Sequence, residues 1–290
     1  MLATKTRLQS VRRMVYIYDG EGAKPTSRVL LQSSMEHCLC PRTHTVTRIT
    51  PEQIKKGDWR DGCAAVILGG GYDLGFIKAL GHSGVKVLRD FVLDGGTYIG
   101  FCAGGYFGCD SIEFDKGGKL EVCGERQLKF YPGKCIGPVV EGFKYDTDKG
   151  LDALSIKFHA TESTGNAKEY SFQTYVNGGG YFAPYSTSLR NRCPDVYRVE
   201  TLATYTTLPH QPPAIVRCEV GKKGGVAVLT GPHPEFSAYE LDASDADLQK
   251  HLPGLLRCEG VREKCLKQLL RAANLKVKLK EDSVQVGSKL

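Results

Sequence analysis

Three short apolar runs constrain this chain more than any other feature. Residues 14–18 (MVYIY), 63–68 (CAAVIL) and 97–101 (TYIGF) are five or six residues long and apolar nearly throughout. Each stops at a turn: Asp19-Gly20, Gly69-Gly70-Gly71 and Cys102-Ala103-Gly104-Gly105. Runs this short, with no polar alternation, read as strands buried on both faces. Helix-length segments separate them. Pro25, Thr26 and Ser27 give helix-start signals ahead of 29–35, and residues 51–56 suit a short helix. Residues 74–80 and 85–93 suit two more, the second with Val85, Leu88, Phe91 and Val92 on one face and Gly95-Gly96 after it. The β-branched alternation of 43–49 supplies another strand. Such alternation predicts a parallel α/β sheet with right-handed crossovers and ligands at the carboxyl ends of its strands.

From about 112 to 205 the pattern changes to short β runs between Gly/Pro turns, predicting an antiparallel β-rich insertion. Residues 214–220 and 226–229 form a predicted hairpin across 221–225, and 261–273 an amphipathic helix. The expected organisation is one domain over 1–274 and a basic tail over 275–290.

The net charge of +7 has a particular location. Residues 1–18 carry Lys5, Arg7, Arg12 and Arg13 with no acid, and 250–290 carry ten Lys/Arg against Glu259, Glu263, Glu281 and Asp282. With 39 basic and 32 acidic residues in all, the body between the ends is slightly acidic. A nucleic-acid reader shows its basic face on the folded body, so this distribution argues against nucleic acid as a partner. No apolar run approaches the roughly 18 residues of a membrane helix. The eleven cysteines are odd in number and include no CxxC, so neither a disulfide framework nor a zinc ribbon is indicated. His37-Cys38-Leu39-Cys40 with His44 has the wrong spacing for a zinc knuckle, and no metal or cofactor is expected. Reduced thiols fit a cytoplasmic protein. The basic, acid-free first residues share one trait with mitochondrial leaders, and a basic lead-in to the first strand accounts for them equally.

Chemistry enters at residues 100–105 (GFCAGG), at the end of a predicted strand. This is the nucleophile-elbow pattern with Cys102 in the nucleophile's place, where glycines admit the sharp strand-to-helix turn. A structural cysteine in a tight turn satisfies the same spacing. Gly231-Pro232-His233-Pro234-Glu235 follows the last apolar run. Pro234 pushes His233 into an extended conformation, so His233 and Glu235 face one way. If that run lies beside 97–101, Cys102, His233 and Glu235 meet at one sheet edge as nucleophile, base and orienting carboxylate. The backbone N–H groups of Ala103 and of Gly70 or Gly71 are the expected oxyanion hole. The other candidates for the substrate pocket are Tyr106, Glu113, Asn177 and Gly178.

These segments resemble the class I glutamine amidotransferase fold, a flavodoxin-like, mostly parallel sheet flanked by helices and carrying a Cys-His-Glu triad. A closer resemblance is to the N-terminal domain of fungal-type biotin–protein ligases. It runs over about residues 14–240 and rests on GFCAGGYFG (100–108), YPG (131–133), YVNGG (175–179), LATY (202–205) and LTGPHPEF (229–236). The resemblance implies an amidotransferase-like module. The Gly-Arg-Gly adenylate signature of the ligase catalytic module is absent, so the chain is not expected to ligate biotin itself. Glutamine amidotransferases carry Gln where Tyr106 stands, so an aromatic ring reshapes this pocket. Three readings follow: a Cys-dependent amidohydrolase or amidotransferase acting on a small amide or acyl substrate; a non-catalytic module binding a metabolite or a protein partner; and a nucleic-acid accessory protein using the basic ends.

Overall fold

The computed structural model describes residues 12–145, 147, 149–161, 167–185 and 191–279. The far N-terminal basic residues and positions 280–290 lie outside them.

The three apolar runs are central strands. Strands β1 (Arg13–Tyr18), β2 (His44–Ile49), β3 (Cys63–Leu68) and β4 (Thr97–Phe101) pair in parallel in the order β2-β1-β3-β4. Three helices fall between them: α1 (Pro25–Cys38), α2 (Pro51–Lys56) and α3 (Asp73–Leu93). After β4 come the one-and-a-half-turn α4 (Ala103–Phe107), then β5 (Cys109–Phe114), β6 (Val122–Glu125) and β7 (Tyr131–Gly137). Two long strands, β8 (Leu151–Thr161) and β9 (Ala167–Asn177), precede β10 (Tyr181–Pro184) and β11 (Val196–Tyr205). The chain ends with β12 (Pro213–Val220), β13 (Gly225–Thr230), α5 (Ala246–Gln249) and α6 (Leu252–Ala272).

The large sheet has nine strands in the order β2-β1-β3-β4-β13-β12-β11-β8-β9. Pairings from β2 to β13 are parallel and those from β13 to β9 antiparallel, so the sheet is mixed rather than mostly parallel. The 112–205 region departs from the expected antiparallel insertion in two ways. Strands β8, β9 and β11 extend the main sheet itself. A second sheet, β10-β7-β5-β6, contains a parallel pair, β5 with β7. Period-two patterning cannot tell which neighbour a strand chooses, because both arrangements bury alternate side chains.

Alternation places two cores on the two faces of the large sheet. Val15, Ile17, Ala65, Ile67 and Ile99 pack with Leu31 and Met35 of α1 and Leu266 and Leu269 of α6. Tyr18, Val66, Leu68 and Tyr98 pack with Phe76 and Leu88 of α3 and with the small sheet through Phe114 and Tyr131. Local signals set several ends. Thr50 and Gln53 form a reciprocal capping box on α2, and left-handed Gly57 stops it. The two helices expected over 74–80 and 85–93 are the two arms of α3, broken at Gly81 (φ 58°, ψ −176°).

The last helix begins earlier than expected, at Leu252, where Pro253 sits in the first turn. Nor is the chain beyond it simply a solvated tail. Leu275 and Val277 are buried, and 276–278 pairs with 38–40 through Cys40 N–H to Lys276 O (3.0 Å) and Lys278 N–H to Cys38 O (2.8 Å). Among the described residues, no helix is long and apolar enough to cross a membrane.

Candidate functional site

Strands β4 and β13 are parallel neighbours, in register from Thr97 with Val226 to Phe101 with Thr230. Their carboxyl ends therefore open at one place, and the chain adds a different chemical group at each. Beyond β4 comes Cys102, held at φ 49° and ψ −106°. A non-glycine residue there costs on the order of 1–3 kcal/mol, which the packing around the elbow must offset. Two glycines allow the turn: a Cβ on Gly104 would overlap the Leu68 carbonyl, and one on Gly100 the Gly104 carbonyl. Cys102 N–H is anchored to Thr230 O at 2.9 Å and Gly104 N–H to Gly69 O at 3.2 Å, tying the elbow to both neighbouring strands. Because α4 is only five residues long, it brings one turn of aligned peptide dipoles to the sulfur.

Beyond β13 comes His233. Its N–H donates to Tyr175 O (2.9 Å), fixing the segment against the end of β9. The ring stacks on Phe236 (4.3 Å, 18° between planes) and meets Tyr175 edge-on (5.6 Å). Nδ1–H donates to Glu235 Oε1 at 2.7 Å, since a carboxylate can only accept. Glu235 is fully buried, and its Oε2 has no hydrogen-bond partner among the described residues. Burial pushes the His233 pKa down, but the Glu235 charge and the neighbouring Cys102 more than offset it, and the pKa rises to about 10. His233 is thus held as an imidazolium beside a sulfur. Cys102 Sγ also lies 3.6 Å from Asn177 O.

A cavity of about 640 Å³ covers this edge. Cys102, Ala103, His233, Gly70, Gly71, Tyr106, Asn177 and Gly178 all line it, while Glu235 lies behind His233. Two expected site residues stand differently. Glu113 does not line the cavity: as alternate residues of a strand point opposite ways, Ile112 and Phe114 face inward and Glu113 pairs with Lys134 (2.5 Å) and Lys116 (3.3 Å). Gly70 N–H is already engaged, donating to Ser27 Oγ at 2.9 Å. The Gly71 and Ala103 N–H groups have no partner among the described residues. Tyr106 is buried, donates to Gly178 O (3.1 Å) and meets Phe114 edge-on (5.7 Å). Its hydroxyl therefore closes onto the Asn177-Gly178 turn.

Sequence reasoning missed Ser27 and the aromatic lining from Phe143 and Tyr145. Ser27 was legible only as a helix-start residue. Phe143 and Tyr145 lie outside regular structure, where no periodicity marks a buried side.

The family model described as "Biotin-protein ligase, N terminal" matches residues 13–289. The biotin–protein ligase of Schizosaccharomyces pombe is 31% identical over 265 residues, covering 91% of this chain and 38% of that protein. This chain thus spans well under half the length of that ligase. An uncharacterized protein of Chlamydia muridarum is 31% identical over 230 residues, covering 77% of this chain and 80% of that one. Among solved structures, a cytoplasmic protein from Salmonella typhimurium LT2 has 13% identity and a TM-score of 0.45, covering 90% of this chain and 99% of that one.

Proposed function

The chain belongs to the biotin–protein ligase N-terminal family, and from that premise we propose that it is an amidotransferase-like binding or regulatory module whose cavity holds a small acyl or amide ligand over Cys102. The observation that favours binding over turnover is Tyr106, which stands where the amidotransferases it resembles carry Gln and whose buried hydroxyl is spent on Gly178 O. The ring therefore offers no amide-recognising group at the place where that Gln would stand. Gly71 and Ala103 N–H stay open to a ground-state carbonyl, and His233 offers a charged donor beside it. This reading assigns no biotin ligation to the chain.

A second reading, a cysteine amidohydrolase, is favoured by the 2.7 Å contact between His233 and Glu235 beside the strained Cys102. Here His233 would hold the proton taken from Cys102, the resulting thiolate would attack the carbonyl carbon and the C–N bond would break. The protonated His233 would give its proton to the departing amine, and water would hydrolyse the thioester.

One experiment separates the two. The protein is incubated with millimolar simple amides while Cys102 alkylation by iodoacetamide is followed by peptide mass mapping and amine release is measured. Binding predicts that amides slow the alkylation of Cys102 with no amine released. Sustained amine release that depends on Cys102 would establish the second reading. Alkylation unchanged by every amide, with no release, would remove both.

A further inference from the structure

The cavity is larger than a carbonyl at Cys102 requires, and one wall has its own chemistry. A carboxamide has only a few heavy atoms, whereas about 640 Å³ falls among cavities that enclose drug-sized ligands, roughly 300–1,000 Å³. That wall is a row of rings. Phe114 and Phe143 meet at 5.4 Å and 87°, and Phe143 and Tyr145 at 5.0 Å and 81°. Tyr72 follows, 6.5 Å from Tyr145. Tyr106 joins the row to the elbow, so aromatic surface runs without a break from the mouth to the residue four places beyond Cys102.

The mouth is exposed as well as apolar. Tyr72 is 43% and Tyr145 38% accessible, and Val29 of α1, which lines the same cavity, is 58% accessible. Grouped around one cavity, these side chains give a ligand apolar surface to cover. The carboxylates of the lining do not compete as recognition groups, because each is engaged within the protein. Asp73 pairs with Arg126 (2.5 Å), Asp242 accepts from Ser244 (2.6 Å), Asp245 caps α5 and Glu240 accepts from Ser33. Beyond the carbonyl the lining offers its widest continuous surface as the ring wall, with Lys144 beside it.

We propose that the ligand of this cavity is an aryl-bearing acyl or amide compound, with its ring against Phe114, Phe143 and Tyr145 and its carbonyl over Cys102. The inference rests on the binding reading of the Cys102 cavity and adds the class of ligand. Edge-to-face and offset ring contacts supply the selectivity, together with the removal of the ring and the exposed mouth from water.

The test compares N-benzylacetamide with N-methylacetamide, which share the amide and differ by the ring. Each is titrated into the full chain while Cys102 alkylation by iodoacetamide is followed. The expected half-protection concentration for the benzyl compound is lower by on the order of tenfold or more, the effect of burying one ring. Phe143→Ala and, at the exposed rim, Tyr145→Ala should each shrink that ratio. Equal half-protection by the two amides overturns the ring inference and leaves carbonyl binding standing. Absence of protection by either overturns both. NMR titration of the same two amides reads the ratio without alkylation, and equal affinities there are likewise fatal to the ring inference.

Discussion

Cys102 and His233 project from two parallel neighbours of the large sheet, while the rings beside them come from β5 and from the chain between β7 and β8. The first region is built by close backbone approach: β4, β13 and the elbow hold one another through Cys102 N–H to Thr230 O and Gly104 N–H to Gly69 O. The second is built by side-chain contact: Phe114 comes from a paired strand, and Phe143 and Tyr145 meet it from outside regular structure. The difference assigns the two regions different work. On the proposed reading, the sheet edge sets where Cys102 and His233 stand, and the ring wall selects the ligand beside them.

That division can be broken in four ways. The largest effect belongs to the backbone-built region. Gly104→Val would drive a Cβ into the Leu68 carbonyl, and a loss of about 3 kcal/mol or more is expected in denaturant unfolding. Arg126→Ala strikes the seam between the regions. Its guanidinium reaches from beyond β6 to Asp73 at the start of α3, both nearly fully buried, and breaking the pair should cost about 3 kcal/mol by leaving a buried carboxylate unpaired.

Glu235→Gln acts on charge at the edge. The His233 pKa lies at about 10 in the folded chain against 6.5 unfolded, so its contribution to stability is full below pH 6.5 and is lost as pH rises through about 10. Unfolding across that window should show wild-type stability falling with pH, with a flatter profile for Glu235→Gln. Phe143→Ala, half-buried in the wall, should cost only about 1–2 kcal/mol in the same assay while changing which amides protect Cys102. A Phe143 variant that loses more stability than Gly104→Val would erase the distinction between the regions.

The two regions also differ in how much the sequence discloses. The parallel edge is readable because its constraints are local. An apolar run of five residues, a glycine that must lack a Cβ and a proline after His233 each dictate backbone shape within a few residues. Helix α2 is readable for the same reason, with its start and stop written in Thr50, Gln53 and Gly57. The wall is not readable, because Phe114 and Tyr145 meet only when β5, β7 and the loop after β7 are placed together. The parallel pairing of β5 with β7 has no local signature. Gly70 shows where local reasoning ends: the loop is where it was expected, yet its N–H is taken by Ser27, 43 residues earlier in the chain.

The account depends on Cys102 being the distinctive thiol of this molecule, held beside a charged His233 in an accessible cavity. Competitive alkylation measures that directly. Limiting iodoacetamide at pH 6 to 7, followed by peptide mass mapping, should modify Cys102 before the other ten cysteines, and His233→Ala should slow that modification. A Cys102 that reacts no faster than an ordinary free thiol, with or without His233, would contradict the account.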